Sequence, residues 1–271
     1  MGKQIPHAIS LENAAVRYLH GSSERPAAIE GISIHIREGS WTAVVGNNGS
    51  GKSTLSLVLS GMIPLSEGRR IVAAGQTVHM VMQNPETQIL GETVYEEIQL
   101  CAAGMSAADM SALLREVGLS VPSDMPIKQL SGGQKQLLNI ACCLAAGASC
   151  IVFDEATSML DPASRQSVLE ATAKLNRLGR TVLWVTHRME ELHYADRIIA
   201  LGEGRIVFDG TCEAFFYGEA DAARTGACER LGFEPPYVVR AARALQARGI
   251  RLPALPLSPN QFSEAVMRLV P

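Results

Sequence analysis

Gly46-Asn47-Asn48-Gly49-Ser50-Gly51-Lys52-Ser53-Thr54 decides the fold, because it satisfies the phosphate-binding pattern G-x-x-x-x-G-K-[ST] in full. Trp41-Thr42-Ala43-Val44-Val45 before it reads as a short β-branched strand. After it, Leu55, Val58, Leu59 and Met62 recur at helical spacing until Gly61 and Pro64 stop the helix. Strand, loop and helix in that order make a cradle for a nucleotide triphosphate. Glycines at 46, 49 and 51 let backbone N–H groups curl round an anion, and the helix N-terminus adds its partial positive charge. Lys52 is placed to reach the β- and γ-phosphates, and Ser53 to offer its hydroxyl to Mg²⁺. The loop alone leaves the base open between ATP and GTP.

Composition sets outer bounds. With 271 residues, 47% hydrophobic and 19% charged, the chain can bury one sizeable α/β core and a small appendage. A net charge of −3 lacks the basic excess of a nucleic-acid-binding surface, so no nucleic-acid partner is expected. The six cysteines contain no C-x-x-C pair and lie mostly in apolar runs, which suits a reducing cytosol. No N-terminal apolar h-region is present. The longest apolar stretch, Leu137 to Ala148, is too short and broken to span a bilayer, so a membrane role is expected to come through a partner.

In chain order, Ala8 to Tyr18 reads as a half-buried strand and His20 to Pro26 as a polar turn. Ile32, Ile34 and Ile36 alternate with Ser33, His35 and Arg37, completing an antiparallel hairpin ahead of the loop. Tyr18 lies where its ring can stack on a purine. Arg69 to Val72 and Val78 to Met82 read as short strands. The second delivers Gln83 to a strand's C-terminal end, where ligands of α/β proteins bind, within reach of Mg²⁺ and an attacking water. Thr93 to Ile98 opens a helix, and Ser106 caps another that ends at Gly118. A helical subdomain over about residues 84–145 therefore interrupts the α/β pattern.

Leu130-Ser131-Gly132-Gly133-Gln134 precedes an apolar helix carrying Leu137, Leu138, Ile140, Ala141 and Leu144. Ser-Gly-Gly at a helix start makes a second anion site, and one P-loop with two γ-phosphate sites implies a two-chain arrangement. Downstream of a complete P-loop, this pentapeptide resembles the signature of ATP-binding-cassette (ABC) ATPases, with Ser131, Gly132, Gly133 and Gln134 as nucleotide contacts. Cys150-Ile151-Val152-Phe153-Asp154-Glu155 is a continuous apolar run ending in two carboxylates, as a central parallel strand would deliver them. Asp154 resembles the family's Mg²⁺-holding aspartate, and Glu155 its general base on the attacking water. Ser158-Met159-Leu160-Asp161 resembles the D-loop, with Asp161 also fit to cap a helix entered at Pro162. Thr181 to Thr186 is another buried strand, ending at His187, which resembles the switch histidine that hydrogen-bonds the γ-phosphate. The family uses ATP.

The runs Gln83 to Val94, Leu130 to Gln136 and Ala156 to Pro162 are similar to the ATPase subunits of energy-coupling factor (ECF) transporters, a resemblance covering about residues 8–270. It implies a RecA-like core with an antiparallel β lobe and a helical subdomain, over residues 1–211. A small C-terminal helical extension over 212–271 would then serve dimerisation. It also implies a second ATPase subunit, a membrane coupling subunit and a separate substrate-binding membrane subunit. Together these import vitamins or transition-metal ions from a position on the cytoplasmic face of the bacterial membrane. Ser158 to Pro162 matches the first of the two paired ATPase types, pointing to a heterodimer and leaving a homodimer open. Leu137 stands where the family commonly has arginine, Arg188 follows the histidine in place of an acid, and Lys52 to Gln83 is shorter than usual.

Gly202-Glu203-Gly204 reads as a hairpin turn, and the core is expected to end near Gly210. Beyond it, three or four short helices are broken by Gly232, Pro235, Pro236 and the Pro-rich run Leu252 to Pro259. A soluble ABC ATPase acting on DNA or ribosomes would carry a long coiled-coil arm or two cassettes in one chain, and the 47 positions from Gln83 to Leu130 argue against such an arm. A non-hydrolysing nucleotide switch would usually lack the base, and Glu155 is present.

Overall fold

The computed structural model describes residues 6–18, 27–218 and 226–269. Two sheets divide the strands. β1 (His7–Val16), β2 (Ile29–Arg37) and β4 (Glu67–Val72) form an antiparallel sheet of order β2-β1-β4. β3 (Trp41–Gly46), β5 (Val78–Val81), β6 (Cys150–Asp154), β7 (Thr181–Val185), β8 (Arg197–Gly202) and β9 (Arg205–Gly210) form a second sheet of order β5-β6-β7-β3-β8-β9. Its neighbours pair in parallel except for the β8–β9 hairpin.

Period-two alternation explains why the central strands are apolar throughout: each face of the large sheet lies against its own cluster. Val44, Val152, Leu183, Val185 and Ile199 face a core shared with the small sheet and with α1 (Lys52–Ser60), through Leu11, Ile34, Leu55, Val58 and Leu59. Ala43, Ile151, Phe153, Trp184 and Ile198 face the opposite core. That core holds α2 (Val94–Cys101), α3 (Ala107–Glu116), α4 (Gly132–Ala145) and α5 (Pro162–Arg177) through Ile98, Met110, Ile140 and Val168. Leu137 is buried there, so at this position the chain contributes apolar packing. Cys142, Cys143, Cys150, Cys212 and Cys228 are free and buried, and burial pushes the Cys143 thiol up to about 12.

Two expectations are corrected. The first strand stops at Val16 and is buried over most of its length, because Ile9, Leu11, Ala14 and Val16 pack into the cluster shared with α1, while its backbone is paired on both edges. The turn expected at His20 to Pro26 lies outside the described residues. The larger correction concerns the end of the core. The strands finish at Gly210, yet α6 (Cys212–Tyr217) buries Phe215 and Phe216 completely, and Phe215 packs 5.2 Å from the Phe208 ring. Ala227 and Cys228 of α7 (Ala227–Arg230) and Val239 of α8 (Tyr237–Ala247) belong to the same cluster. Arg243 ties α8 down through Glu229 at 2.6 Å and through the Phe216 carbonyl. Packed core thus continues through α8, whereas α9 (Pro259–Met267) buries only Ala265. A boundary at 211 cuts through packed core. Phe215→Ala is expected to lower the unfolding free energy in a urea titration by about 3–5 kcal/mol. A neutral result would move the boundary back to Gly210.

Candidate functional site

All the strand ends that carry candidate residues lie at one edge of the large sheet. Gly46 ends β3, Asp154 ends β6, and Thr186-His187 and Gln83 follow β7 and β5. The register sets Asp154 beside Val185, and Val185 beside Val44. Parallel strands buried on both faces leave this C-terminal edge as the place where polar groups can emerge.

The loop from Gly46 to Thr54 curls over the start of α1. Lys52 is buried, and its ammonium donates to the carbonyls of Gly46 at 2.9 Å and Asn47 at 3.1 Å, holding the loop closed from inside. Gly51 has φ +99°, and a Cβ there would run into the Ala28 carbonyl oxygen, so strain and space both require glycine. The Gly204 amide donates to Ser50 O at 3.1 Å, so the β8–β9 turn buttresses the loop. Asn48, Gly49, Gly51, Lys52, Ser53 and Thr54 line a cleft of about 400 Å³, closed by Ala28 and by Glu155. Tyr18 is 53% exposed, and its hydroxyl lies 3.2 Å from Thr54 Oγ1, which places the ring beside this cleft.

Asp154 Oδ1 accepts from Ser56 Oγ at 3.3 Å and from Ser53 Oγ at 3.5 Å. Burial raises its carboxyl above the ordinary value; the two serine hydroxyls oppose that shift, and the nearby Glu155 charge adds to it. A partly desolvated carboxylate beside serine hydroxyls is a set of hard oxygen donors, which fits Mg²⁺. Glu155 follows in left-handed backbone (φ 49°), its amide donating to Val185 O at 2.9 Å. One carboxylate oxygen lies 3.3 Å from His187 Nδ1. Gln83 reaches the same edge but is exposed and makes no hydrogen bond to Ser53 or Asp154.

Ser131, Gly132, Gly133 and Gln134 are not brought to this cleft. They open α4 in a reciprocal cap, Ser131 Oγ accepting from Gln134 N at 3.2 Å and Gln134 Oε1 from Ser131 N at 2.9 Å. A Cβ on Gly133 would meet the Ser164 side chain at 2.5 Å, so glycine there lets α4 and α5 approach. Asp161 caps α5, accepting from Ala163 N and Ser164 N at 3.0 Å each; hydrogen bonding to Ser164 holds its carboxyl below the ordinary value. Sequence reasoning missed Ala28 and Ser56. Ser56 sits one helical turn after Lys52, a signal that was available; Ala28 carries none, since only its backbone takes part.

A larger cavity, about 580 Å³, lies away from this chemistry, between the loop after Gln83 and the helical layer. Ile89 and Ile127 line it, with Glu92, Lys128 and the Glu86–Lys135 ion pair at 2.5 Å on its walls. Glu97, fully buried, accepts the amides of Leu90 at 2.8 Å and Gly91 at 2.7 Å through one oxygen, while the Leu90 side chain stays 83% exposed.

A family model described as "ABC transporter" matches residues 29–158. The chain is 36% identical to the "Energy-coupling factor transporter ATP-binding protein EcfA" of Methanosarcina acetivorans, over 96% of this chain and 98% of that protein. It is likewise 36% identical to "EcfA1" of Symbiobacterium thermophilum, over 94% and 95%. Among solved structures, cbiO1 of Clostridium perfringens, described as part of the ABC transporter complex cbiONQ, is similar with TM-score 0.67 and 26% identity, over 76% of this chain and 89% of that one. The cassette MJ0796, solved as a dimer bound to ADP and Pi, is similar with TM-score 0.66 and 26% identity, over 75% and 98%.

Proposed function

Since the chain belongs to the energy-coupling factor transporter ATP-binding proteins, within the ABC ATPases, we propose that its ATP hydrolysis runs on Glu155 and His187 in a site completed by a second ATPase subunit. The chain is the ATP-binding subunit of such a transporter, and hydrolysis is coupled to transport. The observation that carries the residue assignment is the meeting of Lys52, Ser53, Asp154, Glu155 and His187 at one sheet edge. Lys52 and the loop amides bind the phosphates, and Tyr18 stacks on the base. Ser53, Gln83 and Asp154 would hold Mg²⁺, and the ion would neutralise charge on the phosphates. Glu155 accepts the proton of the attacking water, and His187, beside it, orients that carboxylate and donates to the γ-phosphate.

The cleft draws no lining from Ser131 to Gln134, which supports a partner chain supplying its own signature across the seam, with Asp161 coupling the two sites. Head-to-tail closure on ATP and reopening after hydrolysis then move membrane subunits. Their cargo, chosen by a separate substrate-binding subunit, is a vitamin or a transition-metal ion. No helix among the described residues is long and apolar enough to cross a membrane. Attachment to the cytoplasmic face therefore rests on the coupling subunit. Glu155→Gln is expected to bind ATP normally and to turn over about 10²-fold or more slowly, because an amide cannot take the proton. Wild-type turnover in the native complex would remove Glu155 from this role.

The coupling subunit is assigned to the groove beside Ile89 and Leu90. Glu97 clamps the backbone of 90–91 and leaves Leu90 exposed, next in sequence to Ile89, which with Pro126 and Ile127 lines a groove with charged walls suited to a partner helix. Ile89 packs on the core, so Leu90→Asp is the cleaner probe. It should abolish co-purification with the membrane subunits while nucleotide binding survives; unchanged assembly counts against the contact.

The second ATPase subunit is assigned to α8 and α9. Val238 is spent on the chain's own core, but Tyr237 is 74% and Met267 64% exposed, with Leu255 and Leu269 also open. Covering such side chains contributes about 1.5–3 kcal/mol each before ordering costs. A lasting contact outside the nucleotide sites would keep the subunits paired when those sites open. Truncation after Gly218 would remove core residues, so the test is Tyr237→Asp with Met267→Asp, measured by light scattering without nucleotide. Loss of the dimer is expected, and an unchanged mass overturns the assignment.

A further inference from the structure

Glu191 is a carboxylate buried to 2% exposure in the short 3₁₀ helix Met189–Tyr194, and no salt bridge reaches it among the described residues. Leaving such a group unpaired would be costly, so its partners show what it is for. Oε1 accepts from Thr157 Oγ1 at 2.7 Å. Oε2 accepts from Thr186 Oγ1 at 2.7 Å and from the Trp184 indole at 2.9 Å. Thr157 stands two residues after Glu155, and Thr186 immediately before His187. The Thr186 hydroxyl also accepts from Arg188 N at 3.0 Å, so it brackets His187 from both sides. On its other flank the Glu155 loop is held by Gln136, whose amide donates to Ala156 O at 2.8 Å and to Met82 O, just ahead of Gln83, at 2.9 Å.

We propose that Glu191 is a positioning residue for hydrolysis: a buried three-way acceptor that fixes the loop after Glu155 to the loop before His187. The inference rests on the assignment of Glu155 and His187 above. Neither the motif carrying Glu155 nor the one carrying His187 spans the gap between them; β6 and β7 deliver the two side chains side by side, the last backbone bond between them runs from Glu155 N to Val185 O, and beyond it no ladder among the described residues pairs their loops. Glu191 supplies that missing link. Its two oxygens face opposite loops, and its side-chain donors are hydroxyls and an indole N–H that cannot be satisfied by water in so buried a place. With the tie cut, Glu155 and His187 keep their identities but lose their mutual geometry, and displacements near 1 Å are enough to slow such chemistry about 10²-fold.

The test uses the full chain with its transporter partners and measures ATP affinity separately from turnover. Glu191→Ala is expected to bind ATP as the wild type does, with KM little changed and kcat about 10–100-fold lower. Glu191→Gln keeps an acceptor oxygen for Thr186 and Trp184 and should recover most of the rate. Thr157→Val, which removes one donor at constant shape, should lower kcat without raising KM and serves if Glu191→Ala does not fold. Wild-type kcat per folded molecule in Thr157→Val and Glu191→Ala overturns the proposal, as does a loss of kcat and affinity in equal measure. If Glu155→Gln also retains full turnover, the assignment of the base fails and the role of Glu191 with it; if Glu155→Gln is slow and these variants are not, only Glu191 is wrong.

Discussion

Burial of both faces of the β5-β6-β7-β3-β8 run constrains everything else in this molecule. Alternate residues of each strand feed opposite cores, so a polar side chain inside a strand would face hydrocarbon on either side. Chemistry is thereby driven to the strand ends. Asp154 sits at the last position of β6, and Glu155, Thr186 and His187 lie just beyond the strands that carry them. The small sheet adds a second constraint. By bringing the Ala28 carbonyl against Gly51, it fixes the curl of the phosphate loop from outside while Lys52 fixes it from within.

The same packing explains why Ser131 to Gln134 do not line the chain's own cleft. Gly133 is pressed against Ser164, and Ser131 and Gln134 satisfy each other, so the signature is folded into a finished helix start between α4 and α5. The Ser131 hydroxyl has already met its need for a donor in the Gln134 amide. A phosphate approaching from another chain would find bare amides and a helix dipole on a rigid support. Preorganisation of that kind lowers the ordering cost of association.

Much of this was readable from sequence, because the decisive signals are local. The phosphate loop, the cap at Ser131, the helix entered at Asp161-Pro162 and the run Cys150 to Asp154 each depend on residues within a few positions of one another. What failed depended on distant neighbours. β1 reads as half-wet until Leu55, Val58 and Leu59 are seen packed in its cluster, and Gly210 looks like an end until Phe215 and Val239 are seen inside the core. Glu191 was invisible for the same reason: it meets Thr157 across 34 residues, and no period or motif marks the pair.

Glu97, Gln136 and Glu191 show a common answer to a problem the fold creates. The loops leaving β5, β6 and β7 are where polar backbone must pass close to a packed interior, and their amides, carbonyls and hydroxyls need partners that the ladders no longer supply. Each is met by one buried side chain reaching over from a helix: Glu97 takes the amides of 90–91, Gln136 feeds the carbonyls of Met82 and Ala156, and Glu191 takes Thr157 and Thr186. Acceptors meet donors and a donor amide meets carbonyls, so the three are not interchangeable, and an apolar replacement would strand two or more groups at about 1–3 kcal/mol each. Gln136 and Glu191 each contact two segments, so in them satisfying polar groups and linking the loops are one and the same act.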